Sequence, residues 1–186
     1  MSGTAAMPAA LRSPGVGFEQ PFAMLQACHE RVLRTLDLLA RLRAHVHQHG
    51  ADTDARHAAR DVLRYFDIAA PLHHEDEERH VFPLLRARAS PQVQALVQRL
   101  QDDHAAMEAD WAAARAPLQA LADGRGAGHF TAEDASAFDR FAQRYAAHIA
   151  AEEDIAYPAA RALLPPAALA SMGREMAARR GAPPPS

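Results

Sequence analysis

Strand-forming runs are missing from this chain of 186 residues, because no stretch alternates Val, Ile and Thr at period two. Cysteine occurs once, at Cys28, so no intrachain disulfide forms and a reducing cytoplasm is the expected location. Aromatic residues make up only 6% of the chain. No apolar run approaches the roughly 18 residues of a membrane span, so a soluble protein without a membrane partner is expected. Basic residues are interspersed with acidic ones at a formal net charge of -3, which argues against a nucleic-acid partner. The opening "MSGTAAMPAALRSPGVGF" has neither an N-terminal basic cluster nor a continuous apolar stretch, and does not read as a secretion signal.

What the chain has in quantity is helix formers. Ala supplies much of the 49% hydrophobic content, and Leu, Arg, Glu and Gln supply much of the rest. The expected fold is all-α: an antiparallel up-down-up-down four-helix bundle with a short C-terminal fifth helix. Residues 1–17, rich in Pro, Gly, Ser and Ala, read as a flexible arm, residues 18–180 as the bundle, and 181–186, "GAPPPS", as a flexible tail. Helix one is expected from Glu19 to Gln48, and helix two from Asp54 to Arg88 with kinks at Pro71 and Pro83 and with Thr53 or Asp54 as its N-cap. Ser90 and Pro91 restart the chain into helix three, which reaches Ala122 with a bend at Pro117. Thr131 caps helix four, which runs to Leu164 and bends near Pro158, and the fifth helix covers Ala167–Arg179.

The histidines fall into phase with the apolar stripes, given about 100° of rotation per helical residue. His29 shares a face with Phe22, Leu25, Leu33, Leu36 and Ala40; His104 with Val97, Leu100, Trp111 and Leu118; His148 with Phe141, Tyr145 and Ile155. Helix two holds two overlapping His-x-x-x-Glu pairs. His73 and Glu77 align with Val62, Phe66, Ala69 and Leu84, whereas His74 and Glu78 align with Leu63, Asp67, Val81 and Leu85. Pro71 stands between and can shift the phase. "HIAAEEDIAYP" from His148 repeats the frame of "HHEDEERHVFP" from His73, matching Glu152 with Glu77 and Tyr157 with Phe82. The preferred inward pair is therefore His73 and Glu77, with His74 and Glu78 as the competing pair.

A lone core histidine is ordinarily hydrogen-bonded filler, and a charge run ordinarily faces water. Glu75 and Asp76 are assigned to such a solvated face, Cys28, Trp111 and Tyr145 to packing, and His80 to the edge of the core. The joint pattern is different: one inward His on each of four helices, and a Glu one turn later on two of them. Buried carboxylates cost several kcal/mol unless paired or bound to metal, and a metal pair resolves that cost for all six groups at once.

These motifs, "CHERV", "HHEDEERHVFP", "DDHAAM" and "HIAAEEDIAYP", resemble the hemerythrin-like superfamily, specifically the bacterial HHE cation-binding domains. The resemblance covers about Phe18 to Arg180. It implies two non-haem iron ions, with manganese as the alternative, held by His29, His73, His104 and His148 as terminal ligands and by Glu77 and Glu152 as bridges. It implies a small oxidant as partner: dioxygen, peroxide or nitric oxide. The oxygen carriers of the superfamily place a second His four residues after the first in helix three, where this chain has Glu108, and use Asp where it has Glu153. Glu108 joins His74 and Glu78 as an additional metal candidate. The departure moves the expectation from oxygen carriage toward peroxide or nitric oxide consumption, an enzymatic reading left open beside a metal- or oxygen-sensing regulatory module acting through a protein partner.

Overall fold

The computed structural model describes residues 16–125 and 128–185. The chain runs through α1 (Pro21–His49), α2 (Thr53–Arg64), π1 (Tyr65–Ala69), α3 (Ala70–Asp76), π2 (Glu77–Val81), α4 (Phe82–Arg88), α5 (Pro91–Ala122), α6 (Ala132–Ala151), π3 (Glu152–Ala156), α7 (Tyr157–Leu163) and α8 (Pro166–Arg179). The elements α2 to α4 form one continuous helical run, and α6 to α7 another, so the architecture is four long helical segments and a fifth. The described residues contain no strand.

Contacts between segments fix the directions. Tyr65 donates to the Cys28 carbonyl and His45 meets Asp52, so α1 and α2 run antiparallel. Arg60 reaches the Ala122 carbonyl while Asp67 takes Arg115 and Trp111, which makes the second and third segments antiparallel. Arg144 pairs with Asp110 and His148 with Asp103, and Arg43 of α1 meets Asp139 of α6. The result is the expected up-down-up-down bundle. Ser90 and Thr131 cap α5 and α6 as expected, Thr131 in a reciprocal box with Asp134. The cap of α2 is Asp52 rather than Thr53 or Asp54; its extended backbone lets the carboxylate accept from Ala55 N at 2.8 Å.

Three prolines that read as kinks instead close π-turns. Ala70, Phe82 and Tyr157, each directly before a proline, donate to the carbonyl five residues back rather than four. A proline ring clashes with the carbonyl at i−4 and supplies no N–H, and widening the preceding turn removes the clash without breaking the helix. Pro117 lies inside α5, which continues to Ala122. Each π-turn adds a residue to the turn and rotates the residues downstream of it. From the end of π2 onward the buried positions are Val81, Phe82 and Leu85, with Leu84 only partly covered; at the end of π3, Ala156 is buried and Ile155 is 46% exposed. In α1 the stripe leans toward Val32 and Leu39, leaving Leu33 49% exposed and Ala40 at the surface.

The core divides into two apolar clusters. One gathers Val32, Leu39, Val62, Phe66, Met107, Leu118, Phe138 and Phe141; the other gathers Phe22, Leu25, Val81, Phe82, Leu85, Val97, Leu100, Tyr157 and Met176. On the first three segments the inward histidine falls in sequence between the residues of the two clusters, and on the fourth His148 lies at the same boundary, one residue before Ile149, the last residue of the first cluster. α8 closes the second cluster through Met172 and Met176. It approaches so closely that a Cβ on Gly173 would overlap the Phe18 carbonyl. Asp76, assigned to the solvated face, is fully buried: it accepts from Arg179 and, at 2.6 Å, from Arg180, both at the end of α8. Among the described residues no helix is long and apolar enough to cross a membrane. The expected arm lies outside the described residues except for 16 and 17, and 182–185 at the other end carry no helix.

Candidate metal centre

His29 comes from α1, His73 from α3, Glu77 from π2, His104 from α5, His148 from α6 and Glu152 from π3. All six are buried, with Glu77 and Glu152 at 0% exposure. They form two groups: His29, His73, Glu77 and Glu152 in the first, and His104, His148 and Glu152 in the second. Within the first, His29 Nε2 lies 3.1 Å from Glu152 Oε2, and His73 Nε2 lies 3.3 Å from Glu77 Oε1. Within the second, His148 Nε2 lies 3.1 Å from Glu152 Oε1 and 3.2 Å from His104 Nε2, which in turn is 3.4 Å from Glu77 Oε2. Each carboxylate thus offers one oxygen to each side.

The outer nitrogens of three of the four imidazoles are tied back. His29 Nδ1 donates to Glu153 at 2.8 Å, His104 Nδ1 to Glu78 at 2.9 Å, and His148 Nδ1 to Asp103 at 3.4 Å. A carboxylate on Nδ1 fixes the ring and leaves Nε2 as the free donor, the arrangement found behind metal-bound imidazoles. The competing pair is therefore split from the inward donors. Glu78 is 39% exposed and serves His104 from outside. His74 is half-buried and stacks on the His104 ring with centroids 3.9 Å apart. Glu108 is exposed and belongs to neither group, although it lines the same cavity as His74 and Glu78.

Electrostatics make the cluster costly as bare protein. Burial and the charge of Glu152 push the Glu77 carboxyl well up. Burial also acts to raise Glu152, but the imidazoles of His148 and His29 outweigh it and hold that carboxyl well below its usual range. Burial lowers His104 to about 2 and His73 well below the ordinary imidazole value, so both are neutral and ready to donate a lone pair. For His148, burial is outweighed by Glu152 and Asp103, which raise it. Glu77 Oε2, both Glu152 oxygens and His73 Nδ1 are buried without a hydrogen bond. An unsatisfied buried carboxylate oxygen costs more than fold stability readily spares, unless a cation takes its lone pair.

The donor spacing fits such a cation. Around a first-row ion with bonds of about 2.1 Å, neighbouring donors stand about 3.0 Å apart in an octahedral shell and about 3.4 Å in a tetrahedral one. The shorter separations, 3.1 to 3.4 Å, fall in that interval, while His29 Nε2–Glu77 Oε1 at 4.0 Å and His104 Nε2–Glu152 Oε1 at 3.9 Å are wider. No thiolate is among the donors, and imidazole with carboxylate suits iron or manganese. A model of the hemerythrin HHE cation binding domain matches residues 20–169. The chain belongs to the hemerythrin HHE cation-binding family. A protein of Haemophilus influenzae described as uncharacterized is 34% identical over 163 residues, 88% of this chain and 91% of that one. In this HHE domain the buried His and Glu groups fit a cation-binding site at the bundle centre.

Three features of this HHE domain were not legible as functional in the sequence. Tyr157 donates to Glu77 Oε1 and lies 3.2 Å from His29 Nε2. Asp103 and Glu153 each neighbour an inward residue and back an imidazole; the only sequence signal of Asp103 is a carboxylate beside a ligand-phase residue, whereas Glu153 also stands where the oxygen carriers use Asp. The third is a cavity of about 700 Å³ beside His104, walled by Phe66, Trp111, Phe141, Tyr145 and His74. Trp111 and Tyr145 line this space as well as packing the core.

Proposed function

We propose that this HHE domain holds a pair of non-haem iron ions, with manganese as the alternative, and binds or turns over a small oxidant: dioxygen, peroxide or nitric oxide. The observation that carries the reading is the placement of Glu77 and Glu152, each buried and each offering one oxygen to either side. His29 and His73 would hold one ion, His104 and His148 the other, and the two carboxylates would bridge. When bound, such a pair supplies redox chemistry and positions where a small ligand can attach. The chain's own residues do the rest. Glu153, Glu78 and Asp103 orient the imidazoles, and the apolar clusters on both sides exclude bulk water. The cavity at His104 gives a small molecule an approach from one side.

The alternative is a sensing module that signals through a partner protein in the cytoplasm. Its support is the clasp of Arg179 and Arg180 on Asp76, which ties the residue next to Glu77 to the last helix. Metal analysis of freshly purified protein, with visible spectra under air, under reductant and with peroxide, tests both readings. About two irons per chain with oxidant consumption supports the first. Metal that responds to oxidant without turnover supports the second, and a chain that retains no metal refutes both.

A further inference from the structure

The two halves of the site are related by an internal repeat. The 75-residue step from His73 to His148 also takes His29 to His104, Glu77 to Glu152, Glu78 to Glu153 and Phe82 to Tyr157. The fold obeys the repeat closely. Glu153 backs His29 at 2.8 Å and Glu78 backs His104 at 2.9 Å. Tyr157 stacks on His29 with centroids 5.5 Å apart, and Phe82 stacks on His104 at 5.4 Å. Both bridging-candidate glutamates open a π-turn.

The repeat is broken where chemistry would notice. Phe82 and Tyr157 are both fully buried, but only Tyr157 carries a hydroxyl. That hydroxyl donates to Glu77 Oε1 and stands 3.2 Å from His29 Nε2, two donor atoms of the same group. Its counterpart on the His104 side is a phenyl ring with nothing to donate. We propose that Tyr157 is a positioning residue that makes the two halves inequivalent: it fixes both His29 and Glu77 Oε1 as donors and strengthens metal binding chiefly at the His29–His73 group, since the His104 side meets Glu77 only through its other oxygen, Oε2. The inference rests on the metal-pair reading and adds which half the phenol serves. A carboxylate oxygen has lone pairs for both a hydrogen bond and a cation, so the phenol orients Glu77 without displacing the metal. Outer-shell partners of this kind are worth about 10- to 100-fold in metal affinity.

Tyr157→Phe is the test, since it keeps the ring and copies the residue at position 82. Apoprotein is titrated with Co(II) against a competing chelator, with visible absorption reporting coordination and thermal unfolding of each apo variant confirming the fold. Two backgrounds separate the halves: His148→Ala disables the His104 side and His73→Ala disables the His29 side. Tyr157→Phe is expected to weaken binding about tenfold in the His148→Ala background and by a clearly smaller factor in the His73→Ala background, where only Glu77 Oε2 is shared. Phe82→Tyr, the reverse graft, is expected to strengthen binding in the His73→Ala background. Equal losses in both backgrounds, or no loss in either, would overturn the proposal. So would a tyrosinate-to-iron charge-transfer band in ferric wild type that Tyr157→Phe abolishes, because Tyr157 would then be a ligand. Fewer than two equivalents bound by wild type would sink the metal-pair reading instead, and the His148→Ala comparison would still decide the role of Tyr157.

Discussion

Replacing Asp76 with Ala removes the carboxylate that clasps the end of α8 to the bundle. Asp76 is fully buried; Arg179 Nε donates to its Oδ1 at 3.0 Å and Arg180 Nη2 to its Oδ2 at 2.6 Å. Deleting one partner of a buried ion pair costs about 3–5 kcal/mol, because the remaining charge is left without compensation. Here the guanidiniums keep 15% and 19% exposure and can turn partly toward water, which puts the expected loss at the low end, about 3 kcal/mol. For a chain of this size that corresponds to a fall in Tm of about 6–12 °C. Urea denaturation of metal-free protein, followed by circular dichroism, reads the loss without mixing in metal affinity. Arg179→Ala and Arg180→Ala should each cost less, since Asp76 keeps the other guanidinium. A double-mutant cycle between Asp76→Ala and the paired arginine variant should show coupling of at least about 1 kcal/mol. A loss under about 1 kcal/mol for Asp76→Ala, or strict additivity in the cycle, would refute the clasp and return Asp76 to the solvated face.

Glu77→Ala and Glu152→Ala should each lower bound metal as measured by elemental analysis, while Glu75→Ala and Glu108→Ala retain it; equal loading in all four would refute the donor assignment. Gly173→Ala would drive a methyl into the Phe18 carbonyl, so a loss of about 1–3 kcal/mol in denaturant and faster proteolysis of α8 are expected. Burial lowers His74 to about 4, against about 6.5 for an unfolded chain. The neutral ring's contribution is therefore fully present above about pH 6.5 and is lost as pH falls toward 4. The stability advantage of wild type over His74→Gln should shrink by up to about 2 kcal/mol between pH 7 and pH 5, and a constant difference would refute the shift.

The bundle was legible because each long segment carries an apolar stripe interrupted by a single histidine, and because Ser90 and Thr131 mark helix starts by their side-chain chemistry. Asp76 was not legible. Its buried position is justified only by Arg179 and Arg180, 103 and 104 residues away in sequence, and no local pattern foretells a partner so distant. Glu108 misled in the opposite direction: it shares a helical face with His104 by spacing, yet it stands at the exposed rim of the cavity. A stripe about 100° wide includes positions that touch the centre and positions that only border it.

His73 and Glu77, rather than His74 and Glu78, turn their donors to the centre, although Pro71 and π1 precede both pairs. The three π-turns begin at Tyr65, Glu77 and Glu152, each six residues before a proline. Each His-x-x-x-Glu spacing lies upstream of the turn that the next proline widens, so α-helical geometry still holds between His73 and Glu77 and between His148 and Glu152. The rotation falls afterwards, on Val81, Leu85 and Ala156, where the simple phase named Leu84 and Ile155 instead. A proline six residues downstream accompanies all three wide turns, but it is not sufficient, since α5 carries Pro117 without one. Where that turn opens at π2, the adjacent residues Asp76 and Glu77 are both fully buried, one held by the end of α8 and the other among the metal-site donors. Neighbouring side chains on a helix point about 100° apart, so one backbone position serves two different partners. The clasp on Asp76 thus joins the last helix to the segment that carries Glu77.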